Sequence, residues 1–350
     1  MRIAPDRINL AKSVLFFSTN TTQMLRDQIQ HLFDMQCTDN MGKYLGLPIM
    51  VGKDRRRTFR ELKEKMLSRG KLWSNKTLSQ GGKEVFIKSI PQAIPTYIMS
   101  CFLLPKVLCV EFDSIINNYW WKHSQRQHGV HRMKWQKMCR SKALGEMGFR
   151  NMAQFNIAML CKQGWRLLKQ KETLVYKVLQ ARYFPGKSFM ESKMGNNSSF
   201  TWQSIWAARK TLEMGLSWTV GNGHNIRIWK DPWIKDLRNF KPSRPERDYD
   251  NDARVQELID GDRHQWDIQK LRSLFSETEV AIIQEIPIGK SAAEDVLIWS
   301  KKENGCYNVR SGYKVLNRIQ EKENLIQNEK ETKFWKKLRA AKIPNIKICT

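Results

Sequence analysis

The sequence predicts a mainly α protein with small β-hairpins, an α+β fold, and three observations support this class. Apolar residues recur at helical spacing over most of the chain up to Gly215. After Gly215 the period changes, and apolar and polar residues alternate around Asn222-Gly223, a strong hairpin signal. The 350 residues are 41% hydrophobic, with 13 Trp and 15 Phe, which argues against a disordered chain.

The first elements combine a β-prone stretch with amphipathic helices. Val14 to Phe17 is β-prone, and a helical pattern runs from Thr22 to Phe33. Thr58 and Glu61 then have the spacing of a capping box. Beyond Thr58, four apolar residues recur on one helical face while most basic residues lie elsewhere, so we predict a helix with a basic outer side. These four are Phe59, Leu62, Met66 and Trp73.

Further helices follow along the chain. Residues 79–82, which include two glycines, interrupt the pattern, and we expect the helix to restart from Lys83 to Ile90. Helical spacing returns from Val107 to Trp121 and from Asn151 to Leu168. Ser199 has the sequence position of an N-cap for the next helix.

Beyond Gly215 the sequence predicts a hairpin, a linker and a small acidic region. Trp218, Val220, Ile226 and Ile228 form the alternating pattern on either side of Asn222-Gly223. The basic, proline-containing residues 241–245 are interpreted as a linker. In the region beyond them, Ser276-x-x-Glu279 predicts the start of a short helix.

Charge is the strongest indication of function that does not depend on any motif. The formal net charge is +27. Residues 51–200 contain 29 basic and 9 acidic residues, whereas residues 251–300 contain 5 basic and 10 acidic residues. A field this positive attracts polyanions and releases their condensed counterions. RNA and DNA are the expected partners, bound without sequence specificity; an anionic membrane surface and a purely solubilising charge are the alternatives.

Other classes of protein are disfavoured. No apolar run reaches the length of a membrane span, and the N-terminus lacks the apolar core of a secretory signal. The seven cysteines are scattered without a Cys-x-x-Cys pair, which favours a reduced, intracellular protein with no disulfide framework.

Three short patterns could carry chemistry, and each has an ordinary structural explanation. His128-x-x-His131, with His123 and Cys139 nearby, has some metal-site character, but a second close ligand pair is missing and a basic loop is favoured. Gly221-Asn222-Gly223 lacks the Lys-Ser/Thr of a phosphate loop and is interpreted as a turn.

The third pattern places aromatic residues beside bases. Trp120-Trp121-Lys122 and Lys134-Trp135 resemble the stacking platforms of single-strand binders, although Trp120 also fits a core stripe.

Several motifs occur in colinear order. The first are Arg7-Ile8-Asn9-Leu10-Ala11-Lys12-Ser13, Tyr44-Leu45-Gly46-Leu47-Pro48, Leu78-Ser79-Gln80-Gly81-Gly82-Lys83 and Gln92-Ala93-Ile94-Pro95-Thr96-Tyr97. They are followed by Ala181-Arg182-Tyr183-Phe184-Pro185, Val220-Gly221-Asn222-Gly223, Asp231-Pro232-Trp233 and Val309-Arg310-Ser311-Gly312-Tyr313. The series resembles plant LINE-type (non-LTR) retrotransposon reverse transcriptases, from the end of the polymerase palm to the start of the zinc-binding domain.

The resemblance implies an organisation in four segments. Residues 1–50 correspond to the end of the palm, 51–125 to a basic helical thumb-like region, and 126–240 to a helical connection region with a β-hairpin. Residues 241–350 correspond to a small α+β region that leads into a truncated zinc-binding domain. The parent family is an RNA-directed DNA polymerase, and its metal-binding aspartate pair lies upstream of the first motif.

The resemblance also sets the expected sites. We expect no catalytic residue and no metal or other cofactor in this chain, since the divalent metal belongs to the missing palm. We expect a basic group in the thumb-like region to contact nucleic-acid phosphates. Its members are Arg55, Arg56, Arg57, Lys71, Lys76, Lys83 and Lys88. The expected function is that of a truncated reverse transcriptase with residual nucleic-acid binding; a non-functional genomic remnant and a domesticated protein-binding adaptor are the alternatives.

Overall fold

The fold is dominated by helices. The computed structural model describes residues 13–18, 20–38, 42–74, 78–122, 131–142, 146–235, 237, 240–243, 250, 252–261, 263, 265–289 and 293–321. In these ranges the strands are two to four residues long and form antiparallel pairs. The predicted mainly α class with small β elements is confirmed.

The helices and strands are numbered in chain order. The helices are α1 (Gln23–Phe33), α2 (Arg55–Thr58), α3 (Arg60–Ser74), α4 (Gln80–Ser89), α5 (Thr96–Met99), α6 (Lys106–Trp121), α7 (Trp135–Met138), α8 (Met152–Lys169), α9 (Leu174–Tyr183), α10 (Phe200–Ala207), α11 (Arg209–Glu213), α12 (Ile268–Leu274) and α13 (Glu277–Gln284). Residues 309–321 form α14. The strands are β1 (Lys43–Tyr44), β2 (Leu47–Pro48), β3 (Leu216–Thr219), β4 (Ile259–Asp260), β5 (Gln265–Trp266) and β6 (Val296–Trp299).

The chain divides into two compact units, residues 1–64 and residues 65–350. The first unit contains α1 and a tight hairpin of β1 and β2. Leu45 and Gly46, which connect the strands, both have positive φ angles, of 50° and 78°. A two-residue hairpin turn of type I′ requires this backbone. The sequence pattern did not indicate the hairpin, because leucine rarely adopts the left-handed conformation.

The basic helical region begins one turn earlier than its capping pattern suggested. Asp54, not Thr58, caps α2: its Oδ1 accepts the N–H of Arg57 at 3.1 Å, and Thr58 is the last residue of that helix. The predicted apolar face is confirmed for Phe59, Leu62 and Met66, which are all buried. The side chain of Trp73 lies outside the described residues.

The two glycines of residues 79–82 do not interrupt a helix, contrary to the expectation from their sequence. Ser79 is the N-cap of α4, and its Oγ accepts the N–H of Gly82 at 3.2 Å. The glycines therefore occupy the first turn, where backbone N–H groups lack partners within the helix and a side-chain cap compensates. The other predicted helices and caps, including Ser199 and Ser276, are confirmed within a residue or two.

Helix α8 is the central element of the second unit, and it contacts α5, α6, α10 and α11. The fully buried amide of Asn156 on α8 fixes the segment after α5. Its Nδ2 donates to the carbonyl oxygens of Met99 and Phe102, both at 2.9 Å, and its Oδ1 accepts the N–H of Leu104 at 2.7 Å. A buried residue that satisfies three backbone groups fixes both the position and the direction of that segment.

Three side chains hold the N-terminus of α8. Asn151 caps the helix by accepting the N–H of Gln154 at 3.0 Å. Asp113 of α6 accepts the N–H of Met152 at 3.2 Å, and the hydroxyl of Tyr313 on α14 accepts the N–H of Asn151 at 2.8 Å. The start of α8 is therefore tied to α6 and to α14.

Two apolar clusters form much of the core of the second unit. The first surrounds Trp202 and includes residues from α8 to α11, β3, β6 and the segment before α14. The second surrounds Trp233 and joins residues 220–234 to residues 255–283. Segments on both sides of residues 241–245 thus share one core, and the N–H of Ser243 donates to Glu279 Oε1 at 2.7 Å.

Strand β3 pairs with β6 rather than with residues 226–228, so the hairpin predicted at Asn222-Gly223 is wrong. The loop after β3 instead surrounds the buried carboxylate of Asp295. Its Oδ1 accepts the N–H groups of Gly221 and Gly223 at 2.8 and 2.9 Å, and its Oδ2 accepts that of Asn225 at 2.8 Å. A Cβ at Gly223 would lie 2.4 Å from the backbone nitrogen of Gln256. The glycines are therefore required for close backbone approach rather than for a local turn between strands.

Within the residues that the structure describes, no helix combines the length and the apolar character needed to cross a membrane.

We expect Asp113 to make the fold less stable as the pH rises from 4 to 8. Burial raises the pKa of its carboxyl to about 7, although the N–H of Met152 favours the ionised form. A group with a raised folded pKa stabilises fully below its unfolded pKa and loses that contribution as pH rises through the folded pKa. Relative to wild type, Asp113→Asn should therefore gain unfolding free energy between pH 4 and 8, by at most about 4 kcal/mol.

Urea unfolding at several pH values measures this difference, and Asp252→Asn is the matched control. Lys230 lowers the pKa of the fully exposed Asp252. The free energy of unfolding of Asp252→Asn relative to wild type should therefore fall as the pH rises, and it should do so at more acidic pH. The expectation would be contradicted if the difference in unfolding free energy between Asp113→Asn and wild type did not change with pH, or fell as the pH rose.

Candidate nucleic-acid interface

Three of the predicted site residues lie together at the surface of the first unit. Arg55, Arg56 and Arg57 are exposed on the single turn of α2. Phe59, which follows them, is 1% exposed and anchors the segment. Because the apolar anchor and the arginines are different residues, the charge can be changed without opening the core.

The basic surface continues along the first residues of α3, where ion pairs offset part of the charge. Arg60 pairs with Glu64 at 3.3 Å, and Lys43 pairs with Glu61. Exposed pairs of this kind contribute little to stability. Lys71 lies on α3, but its side chain is outside the described residues, as is the whole of Lys76.

Lys83 has a structural role at the end of α6. Its ammonium group donates to the carbonyl oxygens of Trp120, at 3.5 Å, and Lys122. The last carbonyl groups of a helix lack partners within the helix and carry its partial negative charge, so a lysine stabilises them. Burial lowers the pKa of Lys83.

Lys88 is also engaged inside the protein. Its Nζ donates to Glu84 Oε1 at 2.7 Å and to the carbonyl oxygen of Met147 at 2.8 Å. Hydrogen bonds from Lys142 and Lys88 lower the pKa of Glu84. Lys88 and Lys83 thus join α4 to its neighbours, and either could contact a phosphate only by exchanging these bonds. Phosphate contact stays a prediction for all seven residues.

The aromatic residues beside bases divide between core and surface. Trp120 is buried and packs edge-on against Phe149, with ring centroids 5.2 Å apart, and Trp135 stacks on the ring of Phe149 at 5.4 Å. Trp121 is only half-buried and stacks on His131 at 6.5 Å. The core interpretation of Trp120 is therefore confirmed, and Trp121 is the ring of this group that nucleic acid could reach.

The histidine pattern forms no metal site among the described residues. His131 is exposed and its Nδ1 lies 3.2 Å from Asn117 Nδ2, whereas Cys139 is buried and burial raises the pKa of its thiol. His123 and His128 lie outside the described residues.

A basic stripe on α8 was missed by the sequence analysis. Lys162, Arg166 and Lys169 are exposed at helical spacing, on the side of the helix away from the buried Cys161 and Gly164. The ammonium of Lys169 lies 5.6 Å from the ring centroid of Trp165 at the edge of the buried face. Among the described residues, no carboxylate lies within ion-pairing distance of the three bases. The i, i+4, i+7 spacing of these bases is visible in the sequence, although the apolar face of this helix gives the stronger periodic pattern.

The chain is similar to two curated proteins of Arabidopsis thaliana. An "Uncharacterized mitochondrial protein" is 41% identical over 151 residues, which are 43% of this chain and 98% of that protein. A "Putative ribonuclease H protein" is 30% identical over 276 residues, which are 77% of this chain and 44% of that protein. The chain thus spans less than half the length of the second relative. No family model matches the chain.

We expect the exposed arginines of α2 and the engaged Lys88 to respond differently to substitution. Replacing Arg55, Arg56, Arg57, Lys71 and Lys76 with Gln should change the free energy of unfolding by about 0.5 kcal/mol or less per residue. Lys88→Met should cost about 1 to 3 kcal/mol, because Glu84 and the carbonyl of Met147 lose a charged donor. Chemical unfolding of each variant measures both. Equal destabilisation per residue would show that the arginines are also structural.

Proposed function

Because the chain belongs to the plant protein family of the mitochondrial Arabidopsis relative, we propose that it is a retroelement-derived polypeptide that binds nucleic acid without sequence specificity. More narrowly, we propose a relative of retrotransposon reverse transcriptases. The residues of this chain correspond to the thumb-like and connection regions, and polymerase chemistry would require a palm in addition to them.

Sequence similarity supports the origin. The two Arabidopsis relatives are consistent with a plant retroelement-derived protein. The colinear motifs from Arg7 to Tyr313 favour the reverse-transcriptase lineage. The activity in the name of the second relative belongs to that protein, since the similarity covers only 44% of its length.

The observation that carries the binding proposal is the placement of basic residues. Residues 51–200 contain 29 bases against 9 acids. Exposed bases lie on α2 in the first unit and along α8 in the second. Contacts from such residues to phosphates provide affinity and carry little sequence information.

Polymerisation requires carboxylates that share divalent metal ions. The sequence contains no Asp-Asp dipeptide. The metal-binding aspartate pair of the parent family therefore has no matching residues here, and we propose that the chain supplies binding rather than catalysis.

Salt dependence tests the binding proposal. Affinity for a random-sequence duplex and for a single strand is measured across a salt series, where log affinity should fall by about 0.7 to 0.9 per phosphate contact per unit of log salt. The five-residue Gln variant should bind more weakly, and its slope should be smaller by about one unit for each phosphate that it no longer neutralises. Charge removal at Lys333, Lys336 and Lys337 is the control. A flat salt dependence contradicts the proposal, and equal effects of both variants would indicate diffuse charge instead of a defined surface.

Primer extension tests the absence of catalysis. The purified chain, supplied with an RNA template, a primer and magnesium or manganese, should extend no primer because it lacks the aspartate pair. Extension that copurifies with the chain through successive steps would place catalytic carboxylates among its scattered acidic residues.

A further inference from the structure

Helix α9 presents an apolar ridge to solvent. Leu174, Val175 and Val178 are 76%, 60% and 56% exposed. Their i, i+1, i+4 spacing puts them on one side of the helix, next to one another. β-Branched and leucine side chains in this position are not needed for solubility or for helix formation.

The ridge is separate from the face that holds α9 in the fold. Tyr176 is buried in the cluster around Trp202, and Leu179 and Tyr183 pack against that cluster. The ring of Tyr183 stacks on Trp202 with centroids 4.6 Å apart, and its hydroxyl accepts the N–H of Ser199 at 3.0 Å. The helix is therefore fixed from its inner side, and the outer ridge is a rigid, preformed surface.

Basic residues flank the ridge along the chain. Residues 162–187 contain seven Lys and Arg and a single acidic residue, Glu172. Lys177 and Arg182 are exposed on α9, and Lys171 is exposed three residues before the helix begins. Lys177 pairs with Glu172 at 3.4 Å, but both side chains are largely exposed, so the pair is weak and exchangeable.

We propose that the outer face of α9 docks an acidic amphipathic helix of a partner protein. The aliphatic ridge fits the apolar stripe of such a helix, and the flanking lysines and arginine fit acidic residues beside the stripe. The patch is small, so the complex is of the weak, transient kind. This interaction goes beyond nucleic-acid binding and gives the chain a second partner.

Other occupants match the ridge less well. Nucleic-acid interfaces are polar and use aromatic rings or polar edges against bases, whereas the centre of this ridge is aliphatic. A membrane surface would favour Trp, Phe and Leu, and two of the three ridge residues are valines. A second copy of the chain would carry the same net charge of +27, which opposes self-association.

The test uses the full chain and a designed helical probe with leucines on one face and glutamates on the other. Three comparison probes have the same composition in scrambled order, lysines in place of the glutamates, or no leucines. Anisotropy titration should give saturable binding to the first probe alone. Combining Leu174→Gln, Val175→Gln and Val178→Gln should weaken binding about tenfold or more, since each aliphatic side chain loses its apolar burial.

Matched variants separate the ridge from general surface effects. Val107→Gln with Val110→Gln changes two residues of α6 that are 53% and 61% exposed, and should leave probe binding intact. Lys171→Gln, Lys177→Gln and Arg182→Gln together should weaken binding at low salt and little at high salt. The ridge variant should retain the wild-type melting temperature and the wild-type affinity for nucleic acid, so failure here is distinct from failure of the nucleic-acid proposal.

Three results would overturn the inference. The first is no saturable binding of the acidic probe, or equal binding of its scrambled form. The second is undiminished binding by the ridge variant. The third is binding to phosphatidylserine vesicles that the ridge substitutions abolish while probe binding persists, which would assign the ridge to a membrane surface.

Discussion

The second unit depends on the attachment of α8, which is held by polar contacts that leave little freedom. Asn156 satisfies three backbone groups of the segment after α5, and Asp113 and Tyr313 meet the N-terminus of the helix. Farther along, a Cβ on Gly164 would approach a methyl carbon of Leu212 to 2.7 Å. The helix must therefore sit at one depth and in one rotation, which is also what aims its basic stripe outward. Apolar burial alone would tolerate several rotations; the buried hydrogen bonds select one.

A second long-range contact joins the loop after β3 to the segment that leads into β6. The carboxylate of Asp295 receives three backbone N–H groups from the loop after β3, and β6, directly beyond Asp295, pairs with β3. Asn222-Gly223 gives the local signal of a hairpin, but the partner strand lies more than 70 residues away. A local Asn-Gly signal cannot reveal such a distant partner strand. Gly223 has the positive φ of a turn glycine, but it is also needed for the close approach of the backbone to Gln256. The carboxylate of Asp295 accepts the backbone N–H groups of the two glycines. No bound anion is therefore required to explain the conformation of the loop.

The parts of the fold that sequence could predict are those governed by local physics. Helical spacing and caps identified α6, α8, α10 and α13, since both signals lie within a few residues of one another. Two helix starts were predicted wrongly. Asp54, not Thr58, caps the start of the basic region, and Ser79 caps α4, which begins at Gln80 rather than at Lys83. The candidate site was less predictable. Arg56 and Lys88 look equivalent in sequence, yet the carbonyl oxygen of Met147, 59 residues away, engages only Lys88.

The contrast between the exposed Arg56 and the engaged Lys88 indicates how one chain can carry a large positive charge and still fold. Two partly buried bases are placed against acceptors, as Lys83 is against carbonyl groups at the end of α6 and Lys88 is against Glu84. Other bases, such as Arg56 on α2 and Arg166 on α8, lie on exposed helix faces, where water and salt screen them. A helix such as α8 can then present Lys162, Arg166 and Lys169 to solvent without cost to its buried face. Repulsion between the outer bases persists at low ionic strength, and a polyanion relieves it. Surface charge of this kind thus favours a complex with a polyanion over the free protein. The same number of bases paired with carboxylates would not do so.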